Sequence, residues 1–307
     1  MIDCKPLSFK RAICYSGFRD GQSPDKGIFP SEQEILEDLK LLEGHWEALR
    51  VYACDEHTRR VLRVIDRENL PFTVMLGAYI DAEVSNPNCP WGGVYSDKTL
   101  QRNRELNQQE LDRAVAWATQ YPEIIDVVSV GNEATVDWTD HLIEPETVKS
   151  YASYLRARIS QPVTFCENYV PWLDKLTSLA EELDVIAIHT YPVWEYKTVD
   201  EAMEYTRDNF SAVQKTYPDK QIIITEAGWA TASNGRGIPP ENVGELYQEA
   251  YLRELLAWAE QEQILVYVFE AFDENWKGSD HPLEPEKHWG LYRADRSGKP
   301  ALSLQLQ

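Results

Sequence analysis

Two apolar segments of the sequence each end in a glutamate. The segment VVSVGNE ends at Glu133, and the segment IIITE ends at Glu226. A carboxylate at the end of a buried strand is costly unless water, a partner group or a substrate receives it. Two carboxyl groups that meet at one site can cleave a glycosidic bond, because one protonates the leaving oxygen while the other attacks or activates water. The alternative is a pair of ion-paired carboxylates without a chemical role.

The neighbours of the two glutamates favour sugar chemistry over simple ion pairs. Asn132 directly precedes Glu133, and its amide could bond a sugar hydroxyl beside the cleaved bond. Trp229 follows Glu226 by three residues. Its indole could form the floor under a pyranose ring, since aromatic rings stack on the apolar faces of sugars.

Eight apolar segments of strand length recur along the chain, and segments with a helical spacing of apolar residues separate them. The predicted strands lie at 11–17, 48–54, 71–79, 124–133, 162–168, 184–192, 221–229 and 264–272. The first helical segment opens with Ser31 and Glu34, which have the spacing of a capping box. Further helices are predicted after Asp55, at 98–120 and at 240–262.

The continuous apolar character of these strands predicts a parallel sheet that is buried on both faces. Eight strand–helix units without a Pro/Gly-rich linker predict one α/β domain, a (β/α)₈ TIM barrel spanning residues 1–307. Active sites of such barrels lie at the carboxyl ends of the strands. Glu133 and Glu226 are expected there, on the fourth and seventh strands.

Composition and charge exclude several classes of partner. The 307 residues carry a net charge of −21, which repels nucleic acid and anionic membranes. The six histidines are scattered without a His-x-His spacing, and there is no G-x-G-x-x-G motif, so neither a metal nor a cofactor is expected. The oligomeric state is not predicted.

The cysteines and the N-terminal sequence provide the signals for predicting the cellular compartment of the protein. Cys14, Cys54 and Cys166 lie in apolar segments and are expected to be small buried residues, and no C-x-x-C spacing is present. The N-terminal sequence MIDCKPLSFKRAICYSG has no apolar segment of signal-peptide length. We expect a cytoplasmic protein, or a periplasmic or secreted one if a signal sequence has been removed.

Several motifs resemble those of glycoside hydrolase family 17, a family of β-1,3-glucanases. They are VGNE at 130–133, TEAGW at 225–229, FEAFDENWK at 269–277 and WGLY at 289–292. The segments YSGFRDGQSP at 15–24 and HTYPVWE at 189–195 are similar to the bacterial branch in particular. The resemblance runs from Tyr15 to Lys299. One departure is EAGWA, where plant members usually read ETGWP.

This resemblance implies a retaining glycoside hydrolase that cleaves β-1,3-glucosidic bonds of laminarin-type poly- or oligosaccharides. Glu133 would be the general acid/base, and Glu226 the nucleophile that forms a covalent glucosyl intermediate. The two carboxyl groups are then expected about 5–5.5 Å apart. Two alternatives stay open. One is a β-1,3-glucanosyltransferase acting on the same donor, and the other is a barrel that binds glucan without cleaving it.

Further residues are predicted to hold the catalytic carboxylates or the substrate. Tyr191 is expected to donate its hydroxyl to Glu226, and Arg50, a charge within an apolar strand, requires a partner such as Glu226. The resemblance adds Glu274 and Lys277 as ligands of the substrate. The remaining predicted contacts with sugar are Tyr15, Tyr52, Trp194, Glu270 and Trp276.

The segment 80–98 is unusually long for the connection between a strand and a helix. Such loops usually cover or close a site. Our hypothesis is that it blocks one end of the cleft and favours short oligosaccharides or chain ends.

Overall fold

The protein forms a closed barrel of eight parallel strands in the order β1 to β8, which confirms the predicted (β/α)₈ architecture. The computed structural model describes residues 6–306, so the first five residues of the predicted domain, Cys4 among them, and Gln307 lie outside it. The boundaries of that domain stay a prediction. The strands are β1 Arg11–Cys14, β2 Ala48–Val51, β3 Thr73–Ala78, β4 Ile125–Asn132, β5 Val163–Asn168, β6 Val185–His189, β7 Gln221–Ala227 and β8 Val266–Val268.

Helices follow the strands on the outside of the barrel. They are α1 Glu32–Leu42, α2 Glu56–Glu68, α3 Asp97–Gln120, α4 Pro145–Arg156, α5 Tyr169–Trp172, α6 Thr177–Glu182, α7 Val199–Thr216 and α8 Glu245–Glu262. The connection after β5 contains two short helices, and the chain after β8 ends in a 3₁₀ helix, Pro300–Leu306, in place of an α-helix. No helix within residues 6–306 is both long and apolar enough to cross a membrane.

Local sequence signals set the beginnings of the helices. Ser31 accepts a hydrogen bond from the backbone of Glu34, whose carboxylate accepts from the backbone of Ser31, so the predicted capping box is present. Asp55 and Ser96 cap α2 and α3 by accepting from the backbone N–H groups of Thr58 and Thr99, without the reciprocal bond. The helix predicted from residue 240 begins only at Glu245, because Pro240–Asn242 form a separate 3₁₀ turn.

The barrel interior and the layer between strands and helices form one apolar core. Cys14, Cys54 and Cys166 are buried in it, as their apolar context predicted. Most strands end earlier than the sequence predicted: β8 ends at Val268, although the predicted strand continues to Phe272. Residues beyond these strand ends are free to turn into the mouth of the barrel, and most of the predicted site residues lie there.

Candidate active site

Glu226 lies on β7 as a buried carboxylate whose two oxygens have separate donors. Oε1 accepts from Arg50 Nη1 at 2.5 Å and from the Tyr52 hydroxyl at 3.1 Å. Oε2 accepts from the Tyr191 hydroxyl at 2.5 Å. The predicted contacts of Arg50 and Tyr191 with this glutamate are therefore present. Three donors from β2, from the residue after β2 and from the loop after β6 fix the carboxylate in one orientation.

These donors keep the Glu226 side chain ionised. Burial by itself would raise the pKa of the carboxyl. The charges of His189 and Arg50, together with the hydrogen bonds from Tyr191 and Arg50, outweigh burial and lower the pKa to about 2. A carboxylate that is an anion throughout the neutral range suits a nucleophile.

Glu133 follows the last residue of β4 and has a different environment. Its side chain is 26% exposed, against 8% for Glu226, so it faces the open mouth of the barrel. Its backbone adopts φ = 44°, in the left-handed region that few non-glycine residues occupy. The backbone N–H donates to the carbonyl of Cys166 on β5 at 2.9 Å, which holds this conformation.

His189, the last residue of β6, lies between the two glutamates. Its Nδ1 is 2.9 Å from Glu133 Oε1 and 3.5 Å from Glu226 Oε2. Burial opposes a charge on the ring, but Glu226 and Glu133 outweigh it and raise the pKa of His189 to about 10. The fully buried imidazole is thus a cation between the two side chains, and its charge favours an ionised Glu226. Sequence reasoning did not place His189 beside either glutamate, because the three residues belong to distant parts of the chain.

The separation of the two carboxylates decides which displacement they can perform. One oxygen of Glu133, one of Glu226 and a ring nitrogen of His189 all lie within 4.8 Å of one another. Retaining glycosidases hold their carboxyl groups about 5–5.5 Å apart, whereas inverting enzymes need about 6.5–9.5 Å to admit a water. The observed spacing agrees with the close approach expected from the sequence.

The same three side chains, Glu133, His189 and Glu226, are also a possible donor set for a metal ion. Their hydrogen bonds argue against this use. Both oxygens of Glu226 already accept from protein donors, and the guanidinium of Arg50 at 2.5 Å would repel a cation. The arrangement fits an ion-paired nucleophile better than a ligand shell.

Arg50 connects β4 to β7. It is 2% exposed, and its Nη1 also donates to the carbonyl of Thr225 at 3.0 Å. Its Nη2 donates to Asn132 Oδ1. Asn132 thus has a protein partner for its side-chain oxygen, and its predicted bond to a sugar hydroxyl stays a prediction.

The charged residues after β8 form a buried network. Lys277 Nζ lies 2.7 Å from an oxygen of Glu270 and 2.7 Å from one of Glu274. Glu274 also accepts from the Ser16 hydroxyl at 2.6 Å and from Trp276 Nε1 at 2.9 Å. Burial raises the pKa of Glu270, which is 1% exposed. Glu274 is fully buried, so the structure corrects its predicted role: it ties the segments after β1 and β8 together and has no surface for a sugar.

Two predicted aromatic contacts also lie within the protein packing. Trp229 is fully buried, packs against Tyr251 and donates to the carbonyl of Asn242 at 3.0 Å. Tyr15 is 1% exposed and its hydroxyl bonds Asp38. Neither ring has a free face, and the predicted floor and hydroxyl contacts with substrate therefore do not agree with their positions. The sequence does not distinguish an aromatic residue that packs inside the protein from one that contacts substrate, because residue type and spacing are the same in both cases.

Five of the other predicted contacts keep part of their surface, whereas Glu270 is 1% exposed. Tyr52, Tyr191, Trp194, Trp276 and Lys277 are each partly exposed. Trp194 packs at 6.0 Å against the buried Trp289. Direct binding of sugar by these five residues stays a prediction.

Two carboxylates that sequence reasoning missed lie near the catalytic pair. Glu167, at the end of β5, accepts from the Thr135 N–H at 2.9 Å and hydroxyl at 2.7 Å. Burial and the charge of Glu133 raise its pKa to about 7. Burial, with the charges of Glu133 and Glu226, also raises the pKa of Glu286 to about 7. Glu167 lies near the carboxyl end of the predicted strand 162–168, which was the signal available for it.

Comparison with known proteins identifies the family. Residues 12–290 match the family model described as the BtgE/BtgC glycoside hydrolase domain. The chain belongs to this family. The two glutamates at the barrel mouth are therefore the candidate catalytic pair of a glycoside hydrolase.

Relatives of this glycoside hydrolase cover nearly its whole length. A glucan 1,3-beta-glucosidase of Candida albicans is 28% identical over 309 aligned positions, which cover 94% of this chain and 92% of the relative. A glucan 1,3-beta-glucosidase of Arthroderma benhamiae is 22% identical, covering 92% of this chain and 88% of the relative. The crystal structure of an endo-laminarinase from Formosa superimposes with a TM-score of 0.81 at 27% identity, covering 95% of this chain and 85% of that one.

Proposed function

We propose that this glycoside hydrolase is a member of glycoside hydrolase family 17 that cleaves β-1,3-glucosidic bonds of laminarin-type glucans with retention of configuration. The observation that carries the proposal is the close approach of a partly exposed Glu133 to a buried, ionised Glu226. The relatives named for glucan 1,3-beta-glucosidase and laminarinase activities support the choice of bond and substrate.

In this mechanism Glu226 attacks the anomeric carbon while Glu133 gives its proton to the leaving glycosidic oxygen. The bond to the leaving sugar breaks as the bond to Glu226 forms, giving a covalent glucosyl–enzyme. Glu133, now ionised, then takes a proton from water, which displaces Glu226 on the same face from which the leaving group departed. His189 and Arg50 hold Glu226 as an anion before each attack.

The proposal is tested by incubating laminari-oligosaccharides with the protein and with two variants. We expect Glu226→Ala to abolish hydrolysis, whereas Glu37→Ala, which removes an exposed glutamate of α1, leaves it unchanged. Proton NMR of the wild-type reaction should show the β-anomer first. First appearance of the α-anomer, or substantial turnover by Glu226→Ala without an added nucleophile, would contradict the double displacement.

The long loop after β3 supports action at chain ends. β3 and β7 lie on opposite sides of the barrel. Arg236, in the loop after β7, nevertheless approaches the ring of Trp91, in the loop after β3, to 6.0 Å, and it pairs with Glu284 after β8 at 3.2 Å. The base of the β3 loop is held by Asn86, which donates to the carbonyls of Asp137 and Thr139. The two loops thus span the mouth, as a blocked cleft end requires.

Product profiles test this closed end. We expect the wild-type protein to release short products from laminarin from the first minutes, and Trp91→Ala to shift the profile toward intermediate oligomers. Tyr247→Ala, which removes an exposed aromatic ring from α8 on the outside of the barrel, is the matched control. A broad ladder of intermediates from the wild-type protein would eliminate the closed end while leaving the retaining mechanism intact.

One observation favours transfer to sugar as a second candidate function. Tyr79, just after β3, and Trp138, in the loop after β4, expose 38% and 43% of their surfaces on the carboxyl face that carries Glu133. Exposed aromatic rings near the acid/base are suited to stacking an acceptor sugar in place of water. Oligomers longer than the donor at high substrate concentration would show transfer, and their absence would leave hydrolysis alone.

A further inference from the structure

The peptide group between Asn132 and Glu133 is held at both of its polar ends. At one end, the Glu133 N–H donates to the Cys166 carbonyl at 2.9 Å. At the other, the Asn132 carbonyl lies 2.8 Å from Nε2 of His141. Because this peptide group precedes the unusual backbone of Glu133, with φ = 44°, its orientation determines where the Glu133 carboxyl points.

His141 is itself fixed on its other side. Its Nδ1 lies 2.8 Å from Asp140 Oδ1 and 3.1 Å from the Thr139 hydroxyl, and its ring lies 5.2 Å from that of Tyr79. A backbone carbonyl only accepts, so Nε2 must carry a proton to bond Asn132. Burial would lower the pKa of His141, but Asp140 and the Asn132 carbonyl outweigh it and raise the pKa. The ring is only 18% exposed, so its place on the carbonyl is well defined.

The loop that carries His141 has other anchors. Ile143 N donates to the carbonyl of Ala134 at 2.8 Å, and Glu167 holds Thr135. The backbone of Leu142 accepts from Glu83 and Val84 of the β3 loop. The loop therefore keeps its course without the imidazole, and the bond to Asn132 is left as the specific contribution of His141.

We propose that His141 is a positioning residue for the general acid/base, which aims the Glu133 carboxyl by fixing the Asn132–Glu133 peptide group. The inference rests on the proposed function, because it concerns the step in which Glu133 transfers a proton. Within residues 6–306 no hydrogen bond joins His141 to Glu133 or Glu226, and its bond to the Asn132 carbonyl is its link to the acid/base. Its loss should therefore affect the steps that need Glu133 and spare the attack by Glu226.

Two classes of substrate separate these steps. Laminaritetraose has a poor leaving group and needs the proton from Glu133, whereas a 2,4-dinitrophenyl β-glucoside or laminaribioside releases its phenolate without one. With His141→Leu we expect kcat on laminaritetraose to fall by roughly tenfold to a hundredfold, since a misplacement of about 1 Å costs up to about 10²-fold. KM should change less than twofold. The burst of dinitrophenolate should stay near the wild-type rate, and azide, which needs no base, should speed the turnover of the glucosyl–enzyme.

Conservative and matched variants complete the design. His141→Gln keeps an N–H donor that reaches the Asn132 carbonyl, and it should recover most of the lost activity. His288→Leu removes another histidine whose Nε2 lies 2.8 Å from a backbone carbonyl, that of Pro282, and it should leave both substrates unaffected. The burst amplitude measures the concentration of active molecules, and kcat is calculated from that concentration. Partial unfolding of a variant therefore does not lower the kcat that is compared. If the leucine variant fails to fold, His141→Asn, which is too short to reach the carbonyl, takes its place.

The results that would overturn the proposal are distinct. Equal loss on both substrates, no loss in the leucine variant, or a glutamine variant no better than leucine would each remove His141 from this role. Failure of the wild-type protein to act on either substrate would instead contradict the proposed function.

Discussion

Glu226 is held by protein donors in place of the water that would otherwise solvate it. Arg50, Tyr52 and Tyr191 bond its oxygens, and the charge of His189 lies 3.5 Å away. The resulting low pKa, about 2, is the sum of charge and hydrogen bonds acting against burial. Removing one donor should therefore change the protonation of the nucleophile without changing its place on β7.

Tyr191→Phe removes one donor and keeps the ring. We expect the acid limb of the kcat/KM profile, which reports ionisation of Glu226 in the free protein, to move to higher pH. The sign follows because the lost hydrogen bond favoured the anion, so the pKa of Glu226 rises toward its ordinary value of 4.5. We also expect kcat at neutral pH to fall by about tenfold, as for loss of one oriented hydrogen bond of about 1.4 kcal/mol. The measurement is the pH dependence of laminari-oligosaccharide hydrolysis.

Tyr205→Phe is the matched control for this prediction. Tyr205 lies on α7, and its hydroxyl bonds that of Tyr169, outside the catalytic site. An acid limb that stays in place in Tyr191→Phe, or that moves equally in Tyr205→Phe, would show that the Tyr191 hydroxyl does not stabilise the Glu226 anion.

Among the elements, α1 begins with a complete capping box. The Ser31 hydroxyl accepts from the Glu34 N–H, and the Glu34 carboxylate accepts from the Ser31 N–H at 2.7 Å. Ser31→Ala leaves the Glu34 N–H without its protein acceptor. We expect the free energy of unfolding to fall by about 1 kcal/mol, with a range of about 0.5–2 kcal/mol for such caps.

Chemical denaturation, followed by tryptophan fluorescence, measures this change. Ser150→Ala is the control, since Ser150 lies inside α4 and its hydroxyl bonds only the carbonyl of Glu146 in the same helix. That substitution should be neutral or slightly stabilising, because alanine has the higher helix propensity. Equal destabilisation by the two changes would argue against a specific contribution of the cap.

For the whole molecule, the buried titratable groups make stability depend on pH. The folded pKa of His189 is about 10, above its ordinary 6.5, so the stability it contributes is complete below pH 6.5 and is lost as the pH rises to 10. The folded pKa of Glu167 is about 7, above its ordinary 4.5. The free energy of unfolding therefore falls as the pH rises from 4.5 to 7. The net charge of −21 adds self-repulsion that persists across this range.

We therefore expect Tm to fall by several degrees between pH 6 and pH 9 at constant ionic strength, measured by scanning calorimetry. His189→Gln should flatten this dependence between pH 6.5 and 9, because the group with the largest change in proton binding is gone. His288→Gln is the control histidine and should keep the wild-type slope. A Tm that rises toward pH 9 would mean that the charge on His189 does not stabilise the folded state.

Much of the architecture and the candidate catalytic pair could be predicted from the sequence. Continuous apolar strands and helical spacing specify a parallel barrel by local periodicity, and the rule that sites lie at strand ends then selects Glu133 and Glu226. Arg50 was identifiable because a charge within an apolar strand needs a partner. Each of these signals lies within a single segment of the chain, so it can be recognised without knowing which segments are neighbours in the fold.

Only the tertiary structure decided how side chains from different strands are used. His189 lies between the two carboxylates because β6 neighbours β7, and His141 reaches the Asn132 carbonyl because the β4 loop folds back on its own strand. Trp229, Tyr15 and Glu274 are buried, although their motifs suggested contact with sugar. Burial and the distance between groups remote in sequence are properties of the closed barrel, and no local pattern of residue types encodes them.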